Sequence, residues 1–257
     1  MNRKEMYLRL IPAEIAYAHF NALRTTEHGR HPGIRRDTTE AFEYLVDPSR
    51  PTSLYYNRAV GRATESLSDA ALRSLPLGIV GLEVTPAQLT SEVAAQLLEQ
   101  GFTPAYQLCY LGANPDSGIS VELEVVRLDS SQVDFFFDLL QLEGVDYPPD
   151  KRARKRGYYC TGQFQTYVVK APDGTVCGWT TMFVNGKVAF FGNSFTLPQF
   201  RQSGVHRALL TARLNAAAEL GLEVAYTDVG HRSQSHYNCE RAGFRTLTIN
   251  TIWTKRA

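Results

Sequence analysis

The residues best suited to chemistry crowd into Asn193-Ser-Phe-Thr-Leu-Pro-Gln-Phe-Arg-Gln-Ser-Gly-Val-His-Arg-Ala-Leu-Leu210. A polar glycine turn, Arg201-Gln-Ser-Gly204, stands between an apolar aromatic run (Val188 to Phe195) and a long helical pattern that starts at Val205. A turn of this kind leaves several backbone N–H groups without internal acceptors, at the positive end of the helix dipole, and so suits a phosphate. The N–H groups of Gln202, Ser203, Gly204, Val205, His206 and Arg207 would face the anion. Gly204 can take a positive φ and lets the anion approach the backbone, and Arg201 and Arg207 can add charge. Downstream, Asp228 ends a strand pattern, His231 follows it, and Cys239 lies on the next helical stretch. These three have side chains able to move a proton, and strand ends in α/β proteins face the ligand crevice.

The elements that must position these groups follow from periodicity. Val205 to Leu220 carries Val205, Leu209, Ala212, Ala216, Ala217 and Leu220 on one stripe, with Gly221 at its end. Glu223 to Val229 reads as a strand, Ser233 to Ala242 as a helix stopped by Gly243, and Phe244 to Thr254 as a final strand. Upstream, Ser120 to Leu128 is a strand and Ser130 to Leu142 a helix. Phe164 to Lys170 and Val176 to Val184 are strands joined by the hairpin signal Pro172-Asp-Gly174. In the first half, Leu8 to Ile11 reads as a short strand, Pro12 to Leu23 as a helix, and residues 25 to 40 as a polar, basic loop. Ser53 to Val60 is a strand, Ser68 to Leu75 a helix capped by Ser68, Gly78 to Val84 a strand, Ala87 to Gln100 a helix, and Tyr106 to Leu111 a strand. Gly112-Ala-Asn-Pro-Asp-Ser-Gly118 is the best linker.

Composition bounds the class. The 257 residues are 44% hydrophobic and 21% charged, with net charge +1, an ordinary globular balance that argues against nucleic acid or an anionic membrane as partner. No run approaches the roughly 20 apolar residues of a membrane span. Cys109, Cys160, Cys177 and Cys239 are scattered, so reduced cytoplasmic thiols are expected and neither a disulfide frame nor a metal site.

Taken together, Phe195-Thr-Leu-Pro198, Arg201-Gln-Ser-Gly-Val-His-Arg-Ala-Leu-Leu210 and Asn238-Cys-Glu-Arg-Ala-Gly-Phe244 resemble the GCN5-related N-acetyltransferases over roughly residues 120 to 255. Their pyrophosphate loop reads Gln/Arg-x-x-Gly-x-Gly/Ala. His206 departs from it at the last position, where a backbone donor works with any side chain provided the imidazole points outward. The resemblance implies an α/β fold with mixed, mostly antiparallel central sheets flanked by helices. It also implies acetyl-CoA as co-substrate without a metal, and transfer of an acyl group, acetyl in the simplest case, to a small-molecule or peptide amine. Phe195, Thr196 and Leu197 would pair by main-chain groups with the pantetheine arm. Asn238 would contact CoA or cap locally. Many members carry a tyrosine acid four residues before the Gly-Phe pair, where this chain has Cys239, so proton transfer falls to Cys239, Asp228 or His231. Cys239 reads equally well as a small core residue.

Gln100-Gly101-Phe102 and Ala242-Gly243-Phe244 each close a helix and open a strand, and the openings at Leu8 and Ser120 correspond. This weak repeat suggests two copies of one fold: residues 1–115 without a phosphate loop, since Gly61-Arg-Ala-Thr-Glu-Ser66 has no Arg-x-x-Gly, and residues 119–257 with one. Tandem arrangements with one degenerate half occur in the family. Two further clusters have bland and sharp readings. Lys151-Arg-Ala-Arg-Lys-Arg156 is a solvated helix face, or a dock for an acyl carrier protein or the CoA 3′-phosphate. Tyr158, Tyr159 and Trp179 are core, or line an acceptor pocket. Two rival functions stand beside the enzyme: a non-catalytic acyl-CoA sensor or scaffold, and a transferase with a carrier-bound acyl donor.

Overall fold

The computed structural model describes residues 1–26, 33–62, 67–116, 118, 120, 121 and 123–255. They fall into two compact units, each described by itself. The first comprises Asn2–Tyr110, Val229–His236 and Thr246–Ala257, and the second comprises Met1, Leu111–Asp228 and Tyr237–Arg245.

The first unit opens with α1 (Arg3–Thr25), one continuous helix where a strand and a helix were expected. Asn2 and Glu5 form a reciprocal capping box, which satisfies two N–H groups and starts the helix early enough to absorb Leu8–Ile11. Pro12 is carried inside it. The expected match between openings at Leu8 and Ser120 therefore does not hold. The chain continues through β1 (Arg35–Thr38), β2 (Phe42–Val46), β3 (Arg58–Gly61), α2 (Asp69–Arg73), β4 (Gly81–Val84), α3 (Ser91–Glu99) and β5 (Phe102–Ala113). β1 runs through what reads as a loop; its four residues are all exposed, so no apolar alternation marks it.

The second unit contains β6 (Val125–Leu128), α4 (Val133–Gln141), α5 (Pro149–Lys155), β7 (Phe164–Lys170), β8 (Val176–Asn185), β9 (Val188–Thr196) and α6 (Val205–Glu219), with β10 (Val224–Gly230) as far as Asp228 and α7 (Gln234–Arg241) from Tyr237. The last strand, β11 (Arg245–Lys255), does not stay with it. β11 pairs antiparallel with β4, Thr251 opposite Val84 and Trp253 opposite Leu82, and Trp253 joins a core of Phe42, Leu82, Leu97 and Phe102. The units thus differ from a linear division at residues 115–119. An apolar strand pattern specifies a half-buried strand but not which sheet receives it.

The first unit's strand order is β1-β2-β3-β4-β11-β5 and the second's is β10-β9-β8-β7-β6. Each holds one parallel pair joined through a helix, β3–α2–β4 and β9–α6–β10, and the other described pairings are antiparallel. Parallel neighbours need such a crossover. No helix among the described residues is long and apolar enough to cross a membrane.

The first unit's interior carries charge. The Arg58 guanidinium contacts the Glu14 carboxylate and donates to Glu83 Oε1 at 2.6 Å. Glu83 Oε2 accepts from the Tyr110 hydroxyl at 2.7 Å and from Asn250 Nδ2 at 3.3 Å. All five residues are buried. The second unit's core is aromatic. Phe136 meets Trp179 edge-on at 5.2 Å, Phe137 stacks on Tyr147, and Tyr159 packs on Phe136, Phe137 and Phe164.

Candidate functional site

β9 and β10 pair at four positions, ending at Phe191 opposite Thr227. β9 runs on to Thr196, and among the described residues its ladder with β10 ends there, leaving a main-chain edge beside Asp228. On its other side β9 stays bonded to β8 but slips register: Thr181 faces Gly192 and Thr180 faces Ser194. Asn193, with φ of 41°, is the extra residue. Such a bulge kinks a strand and increases its local twist, here at the point where two parallel strands part.

Past the opening the chain makes a short turn at Pro198–Phe200 and reaches Arg201–Gly204, all exposed. Gln202 and Gly204 both have positive φ, 65° and 83°. Gly204 is the N-cap of α6 and no side chain caps that end, so the first turn's N–H groups have no intrahelical acceptor. Ser203 spends its hydroxyl on Phe200 O at 2.6 Å. The result is an exposed, uncapped helix start preceded by left-handed residues, the backbone geometry of an anion nest.

Gly178 on β8 makes this arrangement possible. A Cβ there would stand 2.5 Å from Phe195 O, 2.9 Å from Val205 Cγ1 and 3.2 Å from Thr196 Cα. Only glycine lets the end of β9 and the start of α6 close onto β8. Sequence reading passed over it, although a glycine inside a strand pattern signals close backbone approach.

His206 does not point outward, the condition for a backbone donor at this position to serve with any side chain; its imidazole turns to α7. Nδ1 lies 3.2 Å from Asn238 Nδ2. The amide nitrogen can only donate, so Nδ1 accepts, and the pair ties the first turn of α6 to α7. Burial, and then the charge of Arg213, push the imidazole pKa down to about 4. Between this value and the ordinary 6.5 the unfolded chain binds a proton that the folded chain does not, so stability should rise with pH from about 4 to 6.5 and level off above, with a slope of at most about 1.4 kcal/mol per unit from this residue. Denaturant titrations of wild type and His206→Asn from pH 4.5 to 7.5 check this. Identical slopes in both proteins would contradict it.

Arg213, unflagged in the sequence, is 1% exposed and sits on α6 about two turns after its uncapped start. Its guanidinium donates to Leu209 O, Thr181 O and Ser194 Oγ at 3.2, 3.1 and 3.2 Å and lies 4.3 Å from the Phe191 ring centre. Arg201 and Arg207 are exposed.

The proton-transfer candidates differ sharply. Cys239 is 2% exposed, and burial raises its pKa to about 11 against a lowering by Arg213 and further rises from Asp228 and Glu240. Asp228, partly buried, follows the last β9–β10 pair. His231 is exposed; its Nδ1 meets Gln107 Oε1 at 2.9 Å. A carbonyl oxygen only accepts, so Nδ1 carries a proton, and in the neutral imidazole Nε2 is then the basic nitrogen. His236, also missed, anchors that turn. Its Nδ1 accepts from the Arg232 N–H at 3.2 Å and its Nε2 donates to Thr246 Oγ1 at 3.0 Å.

The basic run is largely spent on internal pairs. Arg152 pairs with Asp138 and Arg154 with Asp150, Arg156 contacts Asp134, and Lys155 is buried against the Tyr158 ring. Tyr159 and Trp179 are core, the Tyr159 hydroxyl bonding that of Tyr147 at 2.6 Å. All four cysteines are buried and outside any disulfide.

At the corresponding place in the first unit, β3 and β4 pair from Arg58–Gly81 to Val60–Glu83. A Cβ on Gly61 would stand 2.5 to 2.9 Å from the side chain of Gln88, which is 0% exposed and held by Thr85. The crossover helix α2 has five residues, and Ser68 Oγ caps it at the Ala71 N–H. Of the segment Gly61–Ser66, residues 63–66 lie outside the described residues.

This architecture, a mixed strand order with a helix-crossed parallel pair in each unit, recurs in solved structures. A GCN5-related N-acetyltransferase from Kribbella flavida superposes with a TM-score of 0.64 at 13% identity, over 95% of each chain. The chain has the GCN5-related N-acetyltransferase fold. A second member, from Sphaerobacter thermophilus, gives a TM-score of 0.59 at 15% identity, covering 95% of this chain and 93% of that one. A tandem GNAT protein of the clavulanic acid biosynthesis pathway gives 0.52 at 11% identity over 94% of each. No protein-family model matches the sequence, and no curated protein matches it either. At such identities the acetyltransferase likeness is one of fold.

Proposed function

We propose that the chain is an acyl-CoA-dependent N-acyltransferase that moves an acetyl group from acetyl-CoA directly to an amine. One observation carries this reading: parallel strands that part beside an uncapped helix start with left-handed residues before it. The pyrophosphate would lie on the N–H groups of Gln202 to Arg207, and Arg201 and Arg207 would supply charge. The pantetheine amides would pair with the free β9 edge at Phe195, Thr196 and Leu197 as an added strand. The acceptor nitrogen, freed of its proton, attacks the thioester carbonyl; the oxyanion collapses and expels the CoA thiolate, which takes up a proton. His231 Nε2 and the Asp228 carboxylate are the bases this chain offers. Asn238 serves by holding His206. The first unit, with its Gln88 plug and capped short helix, is the copy without a donor site. The acceptor class is a small-molecule or peptide amine and the setting cytoplasmic; ion pairing of the basic run leaves a carrier-protein donor without a free patch there.

Cys239 does not suit the role of acid. A thiol held at about 11 would protonate a departing thiolate of ordinary thiol pKa, near 8.5, uphill by more than about two units. Cys239→Ala should therefore keep at least roughly a third of wild-type turnover, whereas loss of a true proton donor costs about 100-fold or more. The same burial favours a second reading, a non-catalytic acyl-CoA sensor. Thiol release from acetyl-CoA across a panel of primary amines decides between them: amine-dependent release supports the transferase, and binding without release across the panel supports the sensor.

A further inference from the structure

We propose that Arg213 is a positioning residue that fixes the β9 bulge, so that α6 sets both the phosphate site at its start and the place where an acyl thioester lies. The inference rests on the acyl-CoA reading and deepens it. Val205 and Arg213 are eight residues apart on one helix, about 12 Å. Helix and bulge are joined by a directed chain of hydrogen bonds. Arg213 Nη2 donates to Ser194 Oγ at 3.2 Å, and Ser194 and Thr180 share a hydroxyl contact of 2.6 Å. Thr180 Oγ1 reaches Gly192 O at 3.4 Å, so its proton goes there and Ser194 donates to Thr180. Thr181 Oγ1 also donates to Gly192 O, at 3.2 Å, and Arg213 Nη1 donates to Thr181 O at 3.1 Å. The residues on both sides of Asn193, and both facing residues of β8, are thus tied to one guanidinium.

Packing alone does not account for an arginine here. Leu209, Leu210, Leu214 and Ala217 bury the same side of α6, and a leucine would extend that stripe without the cost of burying a charge. The planar fork offers what leucine lacks, donors aimed at two strands at once. Because the bulge stands where β9 leaves β10, its geometry decides how the free edge presents itself to the acyl end of a bound donor. The phosphate end depends on Gln202, Gly204 and the start of α6, about two turns from Arg213 along the helix.

Isothermal titration with acetyl-CoA and with CoA tests this on wild type, Arg213→Gln, Arg213→Lys and Ser194→Ala. Wild type should prefer acetyl-CoA. Arg213→Gln should lose the preference while its CoA affinity stays within about threefold of wild type, a change under 0.7 kcal/mol. Arg213→Lys, which keeps the charge without the fork, should behave like it, and Ser194→Ala should lose part of the preference. The lysine and alanine variants carry the test if the glutamine variant does not fold. Folded variants that retain the preference, weaken for both nucleotides together, or follow a wild type without any preference overturn the inference alone. A wild type that binds neither nucleotide overturns the acyl-CoA reading and the inference with it.

Discussion

Gly204→Val is expected to abolish the rise in melting temperature that acetyl-CoA gives the wild-type protein, with affinity at least about tenfold weaker, or 1.4 kcal/mol. The reason is conformational rather than steric. A Cβ on Gly204 would meet nothing within 4 Å, so there is room for a side chain. The obstacle is φ of 83°, a left-handed backbone that costs an L-residue about 1–2 kcal/mol and a β-branched one more. Valine relieves that strain by leaving the left-handed region, which re-aims the N–H groups of the turn. Thermal scans with and without acetyl-CoA measure the effect. A Gly204→Val protein that keeps the full wild-type shift would show that the loop is not the donor site.

The second large effect lies in the first unit. Arg58→Met should destabilise the protein by about 3–5 kcal/mol, because Glu14 and Glu83 would remain buried facing each other without the guanidinium that both contact. In a chain of this size that is a fall in melting temperature of roughly 10 °C. Replacing Glu14 and Glu83 by methionine as well should recover part of the loss, since the buried charges leave together while the Tyr110 hydroxyl and Asn250 amide lose Glu83 as an acceptor. Denaturant titrations of the single and triple variants measure both. A single variant as stable as wild type would mean that the buried network contributes little.

Legibility in the sequence tracked the range of the physics. The glycine turn before α6 could be read because its requirements are local: a glycine for φ, an apolar run before it and a helical stripe after it. The strands and helices from Phe164 onward follow from period and turn chemistry for the same reason. Gly178 and Gln88 were not legible, since each answers to backbone or side chains that are distant in sequence. Arg213 looked like one more polar residue on a helix, and only the fold shows that its face is buried against Phe191 and the bulge. β11 was recognisable as a strand, but its partner β4 lies far away in sequence. At the amino terminus the capping box overrode the apparent strand at Leu8.

The central claim is that one half of a doubled fold holds an acyl-CoA and the other does not. Isothermal titration of the wild-type chain with acetyl-CoA tests it most directly. The account predicts saturable binding with a stoichiometry of one per chain, lost in Gly204→Val. No binding would contradict the donor site at Gln202 to Arg207, and two sites per chain would contradict the reading of the first unit as closed by Gln88.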